Sequence, residues 1–340
     1  MLIIDHLSMH EPPRAAFDAV QANERNVGLG ALMVPAARFA LPRGRGRIEA
    51  TECARLTRSS PAMLPIAPPG QSQSDLAITA LEALVERVGK THLSATTHIV
   101  FAHATLNQQV VESVAGRLQH MLGIDHVLPL ALGQCGTLGL MAALPLAEGL
   151  LRDGGQVLFV AADKWLYPFF RVYGDFVAYG DCAAALLVRR ALPSESAHLH
   201  AGGIRLLGHS LTQGDVIDDP WAMSPHTLEA RLMAPLLRAA LQALDDADVA
   251  VSEIDCFAPA GFSASFRAML AARMGIPRER LLARDAAHLS SADAIASLAL
   301  ARATMHHTDR RRVLVCDAAL AGGAGAFVAE LHGTPAAGLH

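Results

Sequence analysis

Cys135 is the residue in this sequence best placed to do chemistry. An apolar run at 127–132 (VLPLAL) leads into Gly133-Gln134-Cys135-Gly136, and a helix-forming stretch follows. That order puts the thiol at a strand-to-helix turn near a helix N-terminus, where backbone N–H groups and the helix dipole favour a thiolate. Glycines on both sides let the chain turn tightly and let a substrate approach the backbone. The chemistry such a residue serves is nucleophilic, with a covalent intermediate on sulfur. A free cysteine more often packs as a small hydrophobe. That is the reading for the other four, of which Cys256 and Cys316 lie inside strand-like runs and Cys182 heads one. The five cysteines show neither metal-ligand spacing nor a disulfide framework. His103, which follows the run HIVFA, is a second-choice neighbour of the same site.

The rest of the chain must supply elements that hold this turn. Its 340 residues suggest two core-building halves, and 52% apolar residues are enough for a sizeable core. Lys+Arg 28 against Asp+Glu 32 leaves a net charge of -4, so no basic excess is available to grip nucleic acid. No apolar run approaches the ~18 residues of a membrane span. The most apolar stretch, 137–151, is broken by Pro145 and Glu148. The N-terminus lacks the pattern of a signal peptide, so a reduced, cytoplasmic protein is expected.

Residues 1–70 read as irregular, with short strands and loops, a basic run at 43–47 and a Pro-rich stretch at 59–70. From Ser72 the texture changes. A helix is predicted over 72–89, with Ser74 as cap and Gly89 as stop. Strand 98–104, helix 107–122, strand 127–132, helix 136–152 and strands 157–162 and 183–190 follow. The second half repeats the grammar: strand 203–211, helix 225–244, strand 254–260, helix 262–274, a helix from Ser290 to His307, and strands 313–320 and 324–331. Short apolar strands alternating with helices predict an α/β fold, with a buried, largely parallel sheet covered by helices. The repeated order suggests an internal duplication.

Several segments, taken in order, carry a family resemblance: SDLAITALEAL (74–84), HMLGI (120–124), GQCGTLGLMAALPLAEGLLRDGGQVLFVAAD (133–163), YGDCAAALLV (179–188) and SSADAIASLALA (290–301). Over residues 72–331 the chain resembles the β-ketoacyl-ACP synthase III group of the thiolase-like superfamily. The resemblance implies a five-layer αβαβα fold of two pseudo-symmetric halves, placed here at 1–190 with Cys135 and at 200–340 with His288. It implies a Cys that takes an acyl group, and a His and an Asn that polarise the thioester carbonyl of malonyl-carrier protein. The His slot falls in Ala258-Pro259-Ala260-Gly261-Phe262 and is occupied by Ala260. The Asn slot is occupied by His288.

Three readings stand for His288: a capping or core histidine; a metal ligand, disfavoured because no partner lies at i+4; and a general base and hydrogen-bond donor to Cys135, with Asp293 or Asp285 orienting the ring. The resemblance places an oxyanion hole at the Cys135 N–H and the 319–323 loop, with Gly322 and Gly323 as candidate donors. The aromatic segment 165–170 reads as interface packing or acyl-tunnel wall. Arg267, Arg273, Arg278 and Arg280 are candidates for docking an acidic carrier protein, and 310–312 reads as a solvated turn.

The implied function is an acyltransferase that loads an acyl group from CoA or acyl carrier protein onto Cys135 and passes it to a second substrate in specialised metabolism. No metal and no permanently bound cofactor are implied; acyl-CoA or acyl-ACP is the substrate. The expected assembly is a homodimer through the first half's edge strand, with a heterodimer as the other option. The competing reading is a decarboxylation-deficient or non-catalytic partner subunit, which Ala260 favours. A thiolase reading comes last, because Cys316 stands too early for that family's second cysteine.

Overall fold

The computed structural model describes residues 1–16, 63–107, 111–165, 171–191, 203–218, 220, 223–284, 287–306 and 309–333. The basic run at 43–47 lies outside them. Helix boundaries follow local capping. Helix α1 (Gln73–Val88) starts at a capping box: the Ser72 hydroxyl accepts from the Asp75 N–H, and the Asp75 carboxylate accepts from the Ser72 N–H. Ser72 is therefore the cap, two positions ahead of the expected Ser74. Helix α2 (Val114–Leu122) is capped by Ser113 and closed by Gly123 in the left-handed region. Helix α3 (Gly139–Leu150) begins three residues later than predicted, because left-handed backbone at Gln134 and Gly136 keeps the preceding turn out of the helix. Helices α4 (Pro225–Asp246) and α5 (Ala264–Arg273) start at Ser224 and Ser263, whose hydroxyls accept the orphan N–H groups of Thr227 and Phe266. Helix α6 (Asp293–Ala303) is preceded by a single 3-10 turn at Ser290–Ala292.

The strands are β1 (Leu2–His10), β2 (Arg14–Ala16), β3 (Met63–Pro65), β4 (Thr96–Ala102), β5 (Leu128–Leu132), β6 (Gln156–Asp163), β7 (Val172–Tyr173), β8 (Val177–Tyr179), β9 (Cys182–Arg190), β10 (Ile204–Gln213), β11 (Cys256–Pro259), β12 (Ala287–His288), β13 (Arg310–Ala318) and β14 (Gly323–His332). Nine of them form one hydrogen-bonded sheet in the order β11-β13-β14-β10-β1-β9-β6-β4-β5. The first residues, read from sequence as irregular, form one of its central strands. β1 pairs antiparallel with β9 on one side and β10 on the other. Asp5, His6 and His10 interrupt its apolar pattern and hid the strand in the sequence.

The sheet is two copies of one pattern joined at β1 and β10. In the first half, β1 pairs antiparallel with β9, β9 antiparallel with β6, β6 parallel with β4, and β4 parallel with β5. In the second, β10, β14, β13 and β11 pair in the same senses, and a lone parallel bridge from Phe257 to Leu281 stands where β5 would be. Even the bulges correspond: β1 slips register against β9 between Ile4 and His6, and β10 slips against β14 between Leu206 and Gly208.

Alternation along each strand divides the core into layers. Val157, Phe159 and Ala161 of β6 face an inner cluster with α3 and α6, whereas Leu158, Val160 and Ala162 face α1 and α2. On β13, Val313 and Val315 face the inner cluster, and Leu314, Cys316 and Ala318 face α4 and α5. Helix α3 touches β4 and β6 of the first half and β10 and β14 of the second, so it lies between the half-sheets. The layers run α1/α2, half-sheet, α3/α6, half-sheet, α4/α5, which is the expected five-layer α/β architecture. Arg310, Arg311 and Arg312 open β13 rather than forming a solvated turn; Arg310 pairs with Glu330 and Arg312 with Glu253. No helix among the described residues is long and apolar enough to cross a membrane.

The β10 bulge brings that strand's backbone against the end of α4. A β-carbon on Gly208 would stand 2.4 Å from the Ala247 nitrogen and 2.7 Å from the Ala243 carbonyl oxygen. Both obstacles are backbone and cannot rotate away. Gly208→Ala is expected to destabilise by about 1–3 kcal/mol, the usual range for overpacking, read as a lower denaturant midpoint with an unchanged slope.

Candidate active site

Parallel strands deliver their carboxyl ends to one side of a sheet, where α/β proteins place their ligands. Here β4 delivers His103, β5 delivers Cys135, β6 ends on Asp163, β11 leads to Ala260, and β13 delivers Asp317. The two halves meet at these ends. The Thr137 hydroxyl donates to the Ala318 carbonyl at 3.5 Å. The Ser291 N–H donates to Asp163 at 2.9 Å.

The Cys135 turn owes its shape to two left-handed residues, Gln134 (φ 61°) and Gly136 (φ 57°). Left-handed backbone at a non-glycine costs on the order of 1 kcal/mol. At Gly136 a second constraint applies: a β-carbon there would come within 2.6 Å of the Ala319 β-carbon. The cysteine turn and the 319–323 loop therefore pack in direct contact. Cys135 is half-buried, and its thiol donates to the Gly133 carbonyl at 3.5 Å. Gly136, Thr137 and Leu138 separate it from α3. The helix dipole, which fades beyond the first turn, thus reaches it less than the sequence suggests, and the N–H groups of the turn itself are nearer. Among the described residues the Cys135 N–H has no acceptor.

His288 is fully buried. Its Nε2 lies 3.0 Å from Asp317 Oδ1, and its Nδ1 accepts the Ser290 N–H at 3.0 Å. The ring stands against Phe262 and Tyr179, with centroids 5.4 and 5.1 Å away. Both ring nitrogens are engaged in this geometry, and the polar contact of the Cys135 sulfur is with Gly133. Asp293 lies 3.6 Å from Nδ1 and is itself clamped by Arg284, at 2.8 and 2.9 Å, and by the Leu289 and Gly261 N–H groups. With Arg284 balancing Asp293, a protonated His288 is what balances Asp317. Burial alone would favour the neutral ring, but the Asp293 and Asp317 carboxylates outweigh it and raise its affinity for a proton above the ordinary. Protonation places an N–H on Nδ1, and the Ser290 N–H must then move aside. Ser290 sits at φ 49°, so that turn already holds strain.

His103 is half-buried, stacked on Phe101 with centroids 5.4 Å apart, and its Nδ1 lies 2.7 Å from the Thr105 carbonyl. A carbonyl only accepts, so Nδ1 carries the hydrogen and Nε2 has the lone pair. Nε2 lies 3.0 Å from where a β-carbon on Gly133 would be, so Gly133 is needed to make room for the imidazole.

The other expected residues are dispersed. Asp285 and 166–170 lie outside the described residues, while Trp165 donates its indole N–H to the Ser290 hydroxyl. The Gly322 N–H is taken by the Ala319 carbonyl at 2.9 Å, and Gly323 opens β14. The loop meets the cysteine turn through Ala319 at Gly136, and Gly323 stands against the Leu138 side chain. Arg267 is buried against the Arg284 carbonyl, and Arg280 is tied to the Ser252 and Ile254 carbonyls, so only Arg273 and Arg278 of the expected basic patch are exposed. Asp317 and Asp163 were missed from sequence. Each is the polar residue that closes or nearly closes an apolar strand run, VLVCD and VLFVAAD. A carboxylate at the carboxyl end of a buried strand is a signal that would have found both.

No protein-family profile matches the chain. Solved structures match it over nearly its whole length. ChlB3, titled an acyltransferase, superposes with a TM-score of 0.69 at 17% identity, covering 98% of each chain. The 3-oxoacyl-(acyl carrier protein) synthase III FabH of Pseudomonas aeruginosa gives 0.70 at 16% identity, covering 99% of each. A variant of OleA from Xanthomonas campestris gives 0.68 at 13%, covering 96% of this chain and 97% of that one. The fold is that of the ketosynthase III structures. Identities this low carry the architecture and leave the chemistry to the residues of this chain.

The raised proton affinity of His288 has a consequence for stability. The folded state holds the proton more tightly than the unfolded chain, so this contribution is full below the ordinary histidine value of about 6.5 and is lost as pH rises through the folded value. Melting temperature is expected to fall on that alkaline side, and His288→Gln is expected to remove the part of the fall due to this group. Superimposable pH profiles for the two proteins would show that His288 is neutral throughout.

Proposed function

We propose that the protein is an acyl-transferring enzyme in which Cys135 accepts an acyl group from a CoA or carrier-protein thioester and yields it to a second nucleophile. The observation that carries this reading is the convergence of the Cys135 turn, its unpaired N–H and the His288–Asp317 pair at the carboxyl ends of strands from both halves. A thiolate attacks the thioester carbonyl, and the departing thiol takes a proton. The acyl-cysteine is then opened by the acceptor, whose proton goes to a base. The Cys135 N–H, without an acceptor among the described residues, is available to stabilise the oxyanion of both steps, a role usually worth ~3 kcal/mol per donor. His288, oriented by Asp317, serves as the acid and base of transfer once Nδ1 exchanges the Ser290 N–H for a substrate proton. Catalytic hydrogen bonds commonly tighten only in the substrate complex.

Ala260, buried beside the Gly261 N–H that holds Asp293, supplies no proton donor where the resemblance expects one. Malonyl decarboxylation is therefore disfavoured. Transfer to an oxygen, nitrogen or unusual carbon nucleophile is favoured, as in specialised metabolism. That FabH is titled a 3-oxoacyl-carrier-protein synthase and ChlB3 an acyltransferase supports thioester chemistry on this fold. For assembly we favour a homodimer through β5, which borders the sheet with Leu128 54% exposed. A monomer by sedimentation at micromolar concentration overturns this arrangement and leaves the chemistry untouched.

The test is covalent loading. Intact mass after incubation with an acyl-CoA or acyl-carrier protein is expected to show one acyl adduct on the native protein and none on Cys135→Ala. The substitution removes one half-buried sulfur and should change stability by less than about 1 kcal/mol. Absence of an adduct with either donor favours the partner-subunit reading. His288→Ala is expected to slow turnover by roughly 10²–10⁴-fold, the usual worth of a positioned acid–base group, and His288→Asn should stay slow. Turnover of His288→Ala at the native rate would remove His288 from the mechanism.

A further inference from the structure

Two imidazoles reach the neighbourhood of Cys135, and they differ in what they have left to offer. His288 is fully enclosed with both nitrogens engaged. His103 is half-buried, with Nδ1 fixed on the Thr105 carbonyl and, among the described residues, no partner on Nε2. Its support is built. Thr105 is held through its N–H and hydroxyl by Asp163 Oδ1, at 2.7 and 2.9 Å, and its carbonyl also accepts from the Gln73 amide at 3.1 Å. The ring is braced on Phe101. Gly133 is the shared neighbour: His103 Nε2 stands 3.0 Å from where its β-carbon would be, and the Cys135 thiol donates to its carbonyl. The other titratable groups around this turn, among the described residues, are Asp163 and Lys164 at the end of β6, His288 and Asp293 before and at the start of α6, and Asp317 on β13. Asp163 and Asp293 are surrounded by donors, Asp317 holds His288 through Oδ1 while its buried Oδ2 has no partner among the described residues, and Lys164 Nζ donates to the Pro68 and Gln71 carbonyls.

Resting on the reading of Cys135 as nucleophile, we infer that His103 is a second catalytic base, serving the loading step while His288 serves transfer to the acceptor. After rotation of the Cys135 side chain away from Gly133, the S–H bond breaks and its proton goes to His103 Nε2, leaving a thiolate beside an imidazolium. The thiolate forms the new S–C bond, the C–S bond of the donor thioester breaks, and the proton on Nε2 passes to the departing thiolate. His103 ends neutral, ready for the next cycle, and no other reactant is required. The division separates the two half-reactions between two histidines, one at the end of a first-half strand and one in the second half.

The experiment reads thiol reactivity without any acyl substrate, so its outcome is independent of what the protein acylates. Iodoacetamide alkylation is followed on the Cys135 peptide by mass spectrometry as a function of pH. His103→Asn keeps a donor in the Nδ1 position for Thr105 and removes Nε2; Gly133→Ala displaces the ring by the clash described above. Both are expected to slow alkylation of Cys135 at neutral pH by about tenfold or more, and to match the native rate near pH ~10, where an ordinary thiol ionises unaided. Single-turnover acyl loading should slow in parallel, whereas discharge of an acyl group already on Cys135 should not change. A native pH profile of alkylation in a folded His103→Asn protein overturns the proposal. So does a loss that persists at high pH, which would mark a structural role only. Failure of acyl loading in the native protein, with the alkylation shift intact, would count against the acyl-transfer reading and not against His103.

Discussion

The Asp163 carboxylate, wholly enclosed at the end of β6, accepts at Oδ1 from the Ala104 N–H, the Thr105 N–H and the Thr105 hydroxyl, and at Oδ2 from the Ser291 N–H. One oxygen therefore fixes the turn that carries His103. The other fixes the turn that carries His288, in the opposite half of the chain. Burial pushes this carboxyl's ionisation upward, and the donors from Ser291, Thr105 and Ala104 oppose that push. A buried carboxylate is tolerable only when its lone pairs are met, so the two turns and the acid are mutually required. Removing the acid would leave buried N–H groups in both halves without acceptors.

The same logic governs the second charged cluster. Arg284, Asp293, His288 and Asp317 lie in one buried group with two acids and two bases. The arrangement is neutral when the imidazole is charged. This makes His288 a residue whose protonation state is set by fixed neighbours rather than by solvent. The Phe262 ring stands T-shaped to this imidazole, with centroids 5.4 Å apart.

The duplication explains how such a site arises. Equivalent strands of the two halves, β6 and β13, end on or near acids that face the seam between α3 and α6. Each half alone presents half of a polar cluster at the carboxyl ends of its parallel strands. Packing the halves around α3 and α6 closes the cluster and buries it. The register slip repeated in β1 and β10 shows that the two copies share fine backbone geometry as well as strand order.

The sequence by itself determined the strand-and-helix grammar, the repeated halves and the cysteine turn, because period, capping residues and paired glycines are local signals. It also marked His288, since the resemblance is carried by ordered segments around it. It misjudged β1, whose pairing with β9 and β10 is entirely non-local, and it placed Cys135 closer to a helix start than left-handed Gln134 and Gly136 allow. Arg267 looked like part of a docking surface because a sequence does not show which face of a helix is covered. Only the tertiary structure decided that His288 faces Asp317, that Asp163 binds both halves, and that His103 lies against Gly133 in the Cys135 turn. Those relations join residues far apart in the chain, and proximity of that kind is set by the packing of the two half-sheets around their shared helices.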